Sequence, residues 1–296
     1  MEHRISIILA LLGGLCCSES LAQEPTFSKG TFSDGITTLQ YRKATIAGSD
    51  DGASLVIYLH GGSSKGDDNE AQMQEPGINA TSAWLLKNKR KAIMLVPQCP
   101  QDKSWLGTMQ DALVHLLQTY TDRGVADAGK VYILGGSMGG TGTWNMLSHH
   151  PELFAAAMPV AGNPTGLSAE AVAQTPVYIV MGTADNLMKI SNVETFLKDM
   201  DNYQPEYRFD IEQGWTHEDV CKNSYTEERL DWVFQHTRES SMGISVPASA
   251  ECETANVVWF SLDGQQLPSE PVQRGVYIKK SFYADGSTTA RKCCIY

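Results

Sequence analysis

Positive charge is scarce in this chain. Lysine and arginine together number 23 against 34 aspartates and glutamates, a formal net charge of -11. No run of basic residues relieves that balance, which argues against a nucleic-acid partner, since phosphates call for basic patches. Long apolar runs are missing as well. Ile5–Cys17 is thirteen residues, too short to cross a bilayer as a helix, and nothing later approaches it, so no transmembrane segment is expected. Neither G-x-G-x-x-G nor G-x-x-x-x-G-K-[ST] occurs, and no nucleotide or other organic cofactor is expected. The cysteines have no zinc-ligand spacing, and the adjacent His149 and His150 cannot share one helical face. No metal is therefore expected either. Paired carboxylates of the glycosidase kind are not evident.

What is present describes an ordinary globular protein: 42% hydrophobic and 19% charged residues over 296 positions, enough for one large α/β domain and a small appendage. The N-terminus reads as an export signal. Arg4 precedes the apolar run, and Ser20-Leu21-Ala22 offers a small-x-small cleavage site, which predicts a signal peptide over 1–22. A lipid anchor at Cys16 or Cys17 is the alternative. Beyond the leader, Cys99, Cys221, Cys252, Cys293 and Cys294 are an odd, scattered set and no disulfide scaffold. In an exported protein Cys99 and Cys221 could bridge, but spacing supplies no geometry for it.

The chemistry is concentrated in Val131–Trp144, VYILGGSMGGTGTW. A run of β-formers meets Gly135-Gly136-Ser137-Met138-Gly139, and helix-compatible residues follow. This is the strand–turn–helix setting of a G-x-S-x-G nucleophile elbow, with Ser137 as candidate nucleophile. The turn is so sharp that Gly135 and Gly139 leave no room for side chains, and the serine takes a strained backbone conformation.

Other strands read around it. Leu39–Thr45, Ser54–Leu59, Ala92–Pro97, Ala155–Ala161, Pro176–Met181 and Tyr207–Ile211 are short apolar or β-branched runs bounded by turn residues, with Asp127–Lys130 as a turn. Between them Thr81–Lys91 (Ser82 a candidate cap), Met109–Tyr120, Thr141–His149, Lys189–Met200 and Tyr225–His236 show helical spacing. Ser54–Leu59 runs directly into His60-Gly61-Gly62. A small-residue loop after a central strand can turn backbone amides into a cleft, so Gly62 and Met138 are the expected oxyanion donors, with His60 a structural pin of that loop. Asp185 follows the Pro176–Met181 strand, where open α/β sheets place their sites. Asp199, Asp201 and Asp210 lack such a turn, and the bland role for Asp185 is a helix cap. His217 follows the last strand in the loop Gln213–His217. The order Ser137, Asp185, His217 is that of α/β-hydrolases and differs from trypsin-like and subtilisin-like proteases. The predicted fold class is accordingly α/β, a mostly parallel central sheet flanked by helices, over 23–240.

The stretches YLHGGSSKGDDN (58–69), VPQCPQDKSW (96–105), VYILGGSMGGTGTWNM (131–146), HPELFAAAMPVAG (150–162), GTADN (182–186) and GWTHEDV (214–220) resemble secreted α/β-hydrolases of the feruloyl and acetylxylan esterase type, carbohydrate esterase family one. They are similar also to polyhydroxybutyrate depolymerase-like and prolyl-oligopeptidase-like single-domain hydrolases. The resemblance implies a serine esterase on feruloyl or acetyl esters of plant polysaccharide. It departs from the pattern at Asn186-Leu187-Met188, where a valine–proline pair is frequent, and at Cys221, where an aromatic is.

After a linker at 241–252 rich in Ser, Gly, Ala and Pro, 253–296 carries short β-like pieces at Asn256–Leu262 and Gly275–Lys280, with turns at Asp263-Gly264 and Asp285-Gly286. The text WFSLDGQQL…RGVYIKK is similar to C-terminal sorting tails of the type IX secretion system, which would make secretion machinery a partner. The other reading is a small accessory β module. A prolyl-oligopeptidase-type peptidase and a non-catalytic, hydrolase-like binding protein are the competing functional readings.

Overall fold

The computed structural model describes residues 24–47, 52–238, 254–261, 264–273, 275–283 and 288–295. The leader at 1–22, the linker at 241–252, Cys252 and the residues Asp263, Asp285 and Gly286 of the two tail turns lie outside these. The chain divides into two compact units, Met1–Ser240 and Ser241–Tyr296.

The first unit is built on eight strands: β1 (Ser28–Ser33), β2 (Thr38–Ile46), β3 (Ala53–Leu59), β4 (Ala92–Gln98), β5 (Ala126–Gly136), β6 (Ala156–Val160), β7 (Val177–Gly182) and β8 (Tyr207–Glu212). They lie in the order β1-β2-β4-β3-β5-β6-β7-β8. β1 and β2 pair antiparallel and β2 joins β4 antiparallel, while β4 through β8 run parallel. This is the α/β-hydrolase arrangement, and the mostly parallel sheet expected from the sequence is what forms.

Among the described residues, helices α1 (Pro76–Lys87), α2 (Thr108–Thr121), α3 (Met138–His149), α4 (Ala169–Val172) and α5 (Ile190–Met200) connect the parallel strands, and α6 (His217–Asn223) and α7 (Glu227–Gln235) follow β8. β3, β4, β6 and β7 are buried along their whole lengths, as parallel strands covered on both faces must be. Alternate residues of β3 serve opposite layers. Leu55, Ile57 and Leu59 pack with Met109, Leu113 and Leu117 of α2, Trp144 and Leu147 of α3 and Phe196 of α5. Val56 and Tyr58 pack instead with Ile78 and Leu85 of α1, Val220 of α6 and Leu230, Val233 and Phe234 of α7. Each such side chain contributes roughly 1.5–3 kcal/mol by leaving water.

Several boundaries differ from the expectation. β1 carries no hydrophobic run and was not foreseen; its register is set by pairing with β2. α1 begins at Pro76 and not Thr81, because proline at the first helical position costs no hydrogen bond. Ser82 is therefore inside α1, its hydroxyl donating to Asn79 O at 3.2 Å, and is no cap. Asp127–Lys130 is not a turn. It is part of β5, where the pairing with β3 shifts register between Ala53 and Leu55 and accommodates extra residues. The expected final helix Tyr225–His236 forms as α7, Glu227–Gln235, and it is preceded by a short helix, α6, that was not foreseen.

The second unit holds a four-stranded antiparallel sheet of β9 (Thr254–Phe260), β10 (Gln266–Leu267), β11 (Gly275–Tyr283) and β12 (Thr288–Ile295), in the order β10-β9-β11-β12. β10 and β12 were not expected, since neither has a clear apolar alternation.

Candidate active site

Ser137 stands between β5 and α3 with φ 58° and ψ -117°, a left-handed conformation that a non-glycine residue adopts only when its surroundings impose it. Its amide is fixed by donation to Val160 O at 3.0 Å, and its own carbonyl accepts from Thr141 N at 2.9 Å. The neighbouring glycines are obligatory on steric grounds. A Cβ on Gly139 would overlap the Leu59 carbonyl oxygen, and one on Gly135 would sit 2.6 Å from the Gly139 backbone. The elbow is thus wedged between β3 and α3.

Two further side chains line up behind the serine hydroxyl. His217 Nε2 lies 2.7 Å from Ser137 Oγ, and His217 Nδ1 lies 2.7 Å from Asp185 Oδ2. The Asp185 side chain is fully buried. Its Oδ1 accepts from the amides of Leu187 at 2.8 Å and Met188 at 2.9 Å, leaving Oδ2 for the imidazole. A carboxylate there keeps the proton on Nδ1, so Nε2 faces the serine as an acceptor. Asp185 caps no helix, because α5 starts only after Lys189.

His217 is not in a loop, as the sequence suggested. It is the first residue of α6, held by a capping box between Thr216 and Asp219: Asp219 N donates to Thr216 Oγ1 at 3.3 Å and Thr216 N to Asp219 Oδ2 at 3.0 Å. The Thr216 hydroxyl, which donates to Asp219 Oδ2 at 2.6 Å, and then the Thr216 amide pull the Asp219 carboxyl below its usual value. The loops carrying acid and base are stitched together by Ala184 N to Trp215 O at 3.0 Å and Gly214 N to Thr183 Oγ1 at 2.8 Å. Cys221, one turn on in α6, brings its sulfur 4.0 Å from His217 Nε2. Burial foremost pushes its thiol up to about 12, and Cys99 up to about 11. Both are free thiols, so the conceivable bridge between them does not form.

The loop after β3 is pinned by three groups. His60 is fully buried. Cys99 N donates to His60 Nε2 at 2.9 Å, and His60 Nδ1 contacts Gly61 O at 2.6 Å. Nε2 must then be the bare nitrogen and Nδ1 the donor. Trp105 Nε1 donates to His60 O at 3.0 Å. Gly61 N donates to Glu75 Oε1 at 3.0 Å. Among the described residues neither the Gly62 nor the Met138 amide meets an acceptor. These are the two amides the sequence named as oxyanion donors. Glu75 was missed, because the stretch before Thr81 was not read as the start of a helix.

Asp199 and Asp201 lie at the end of α5 and just beyond it, and Asp210 is on β8, where it accepts from Arg229 at 2.8 Å. His115 is half-exposed and contacts Asp34. Among the described residues no group of three or more His, Cys, Asp or Glu side chains converges as a metal site, and no helix is long and apolar enough to cross a membrane.

A parallel sheet with a strained serine elbow after its fifth strand, an acid after the seventh and a histidine after the eighth defines an α/β-hydrolase-fold protein with a Ser–His–Asp arrangement. Residues 87–239 match the dienelactone hydrolase family, and the chain belongs to that family. No curated protein matches the chain. Among solved structures it is similar to a thermostable esterase, at 25% identity and TM-score 0.67, over 72% of this chain and 63% of that one. The chain thus spans less than two thirds of that esterase. It is similar in fold to the feruloyl esterase module of Clostridium thermocellum complexed with sinapinate, at 15% identity and TM-score 0.57, over 73% of this chain and 90% of that one. An acylaminoacyl peptidase of Pyrococcus horikoshii shares the fold at 13% identity and TM-score 0.56, over 75% of this chain and 43% of that one.

Proposed function

We propose that the protein is a serine-dependent carboxylic ester hydrolase working through an acyl-enzyme. The observation that carries this reading is the unbroken relay from Asp185 through His217 to Ser137, both contacts being 2.7 Å. Ser137 Oγ attacks the ester carbonyl as His217 Nε2 takes its proton. The carbonyl oxygen becomes an oxyanion held by the Gly62 and Met138 amides, each such donor being typically worth about 3–4 kcal/mol. Collapse breaks the C–O bond, and His217 returns the proton to the departing alcohol. Water, deprotonated by the same nitrogen, then frees the acid and restores Ser137. Asp185 holds the imidazole in the tautomer this cycle needs and stabilises its cationic form.

The preferred substrates are feruloyl or acetyl esters carried on plant polysaccharide. The resemblance of the 96–105 and 131–146 stretches to such esterases supports this, and the feruloyl esterase module among the structural neighbours agrees with it. The protein is exported, on the strength of the leader at 1–22, and the tail at 253–296 engages secretion machinery, on the strength of its sorting-tail text. Hydrolysis of nitrophenyl acetate by wild type and Ser137→Ala tests the mechanism: a loss of at least about 10³-fold is expected, and equal rates would refute it. Methyl ferulate, acetylated xylan and a prolyl peptide, run side by side, test the substrate class. Preference for the peptide would favour the peptidase reading.

A further inference from the structure

Among the described residues, Glu75 is the one buried carboxylate beside the nucleophile that the relay does not use. It is 8% exposed and stands at the N-cap position of α1, yet its side chain caps nothing in its own helix. Its Oε1 instead accepts from Gly61 N at 3.0 Å and from Ser64 Oγ at 2.7 Å. A Cβ built on Gly61 would lie 3.5 Å from both Glu75 Oε1 and Ser137 Cβ, which puts the carboxylate directly behind the reaction centre.

The local sequence delivers it there. Pro76 opens α1, and Gly77 lets the helix start press against the rings of Tyr58 and Tyr225, which a Cβ would meet at 2.5 Å. Those two tyrosines join hydroxyls at 3.0 Å. The carboxylate therefore reaches the loop from a rigid support.

What it grips is a pair of consecutive glycines. Such a segment has few steric barriers to turning over. The Gly61 carbonyl and the Gly62 N–H belong to one planar trans peptide and point in opposite directions. His60 Nδ1 and Ser64 N, at 2.6 and 3.3 Å from Gly61 O, hold that carbonyl and so send the Gly62 N–H the other way. This clamp works only if the preceding peptide and Ser64 stay in place. Both are held by the same Glu75 oxygen.

We infer that Glu75 is a positioning residue for the oxyanion loop, fixing through Gly61 N and Ser64 Oγ the direction in which the Gly62 amide faces the developing oxyanion. This rests on the serine-hydrolase reading. Glutamine keeps an oxygen acceptor at the same reach, whereas alanine removes it and leaves Gly61 N without a partner among the described residues.

The test compares wild type, Glu75→Ala, Glu75→Gln and Ser137→Ala of the full chain on nitrophenyl acetate, with melting temperatures and inhibition by phenylboronic acid. The boronate's tetrahedral adduct on Ser137 places an oxygen on the oxyanion amides. Glu75→Ala should lose about 100-fold in kcat with KM within about threefold, and boronate affinity should weaken in step. Glu75→Gln should keep at least about a tenth of wild-type kcat. The proposal is overturned if Glu75→Ala stays within about threefold of wild-type kcat, if boronate affinity is unmoved while kcat falls, or if Gln is as poor as Ala. Should Glu75→Ala not fold, Ser64→Ala decides: a loss of about 3–10-fold in kcat at unchanged melting temperature supports the proposal, and no loss overturns it. Equal hydrolysis by Ser137→Ala and wild type removes the serine reading and this proposal with it. Serine-dependent activity that stays within about threefold of wild type in Glu75→Ala removes this proposal alone.

Discussion

Lowering the pH from about 6.5 to 4 should weaken the catalytic unit through one side chain, His60. Burial foremost holds its pKa at about 4, against 6.5 for the free side chain. Its Nε2 is committed to accepting from Cys99 N, so a proton there would also break a bond. Between the two pKa values the unfolded chain binds a proton that the folded chain refuses. The stabilisation is therefore complete above about pH 6.5, is lost as pH falls towards 4, and is lost no further below that, where folded His60 is protonated too. A shift of this size corresponds to about 3 kcal/mol. The carboxyls held low by hydrogen bonds, Asp34, Glu70, Asp127 and Asp219 among them, act mainly below this window. Urea unfolding at pH 7, 5.5 and 4 should be measured on wild type and on His60→Asn, which removes the acceptor for Cys99 N. Wild type should lose about 3 kcal/mol more than the variant across the range, the other histidines cancelling in the comparison. The same loss in both proteins, or a His60 imidazole that titrates near 6.5 by NMR in the folded state, would refute the reasoning.

Gly139→Ala should abolish activity and destabilise by several kcal/mol, about 3 or more, because the new Cβ meets the backbone of β3 and not a movable side chain; circular dichroism melts and nitrophenyl acetate turnover check both. Arg229, buried and donating to Asp210, Glu212 and Ser224 O, ties β8 to α7. Replacing it with alanine should cost about 2–3 kcal/mol by urea unfolding, less than for a fully buried network because both carboxylates are partly exposed. Cys99 and Cys221, with thiols raised by burial, should resist alkylation by iodoacetamide at pH 8 in the native protein and react rapidly once unfolded. Mass spectrometry of the labelled peptides reads this, and native labelling of Cys221 at the rate of a free thiol would contradict it.

The elbow was legible because its chemistry is local: glycines flanking Ser137 between a strand and a helix admit few other structures. Asp185 and His217 were legible by chain order, which records where strands end in a doubly covered sheet. Glu75 was not. Its partner Gly61 is fourteen residues away, and nothing in Gln74-Glu75-Pro76-Gly77 tells which way the carboxylate will turn. Only the tyrosine pair under Gly77 decides that, and the pair exists only in three dimensions. The early start of α1 was hidden for a related reason: Pro76 and Gly77 read as loop residues, although proline suits a first helical turn and glycine is required there by packing. β1 and the register shift in β5 were invisible because pairing, not composition, makes them.

The chain positions that build the site come from beyond the ends of β3, β5, β7 and β8, joined by crossovers and not by hairpins. Turnover is consequently a report on how far the chain has folded. Helices α1 to α5 can form from neighbouring residues, but the site needs contacts such as that between Ser137 and His217, 80 residues apart, the slow, non-local kind. On refolding from urea, far-ultraviolet ellipticity should return first and hydrolysis last, the interval between them being the time the sheet takes to close from its centre to β8.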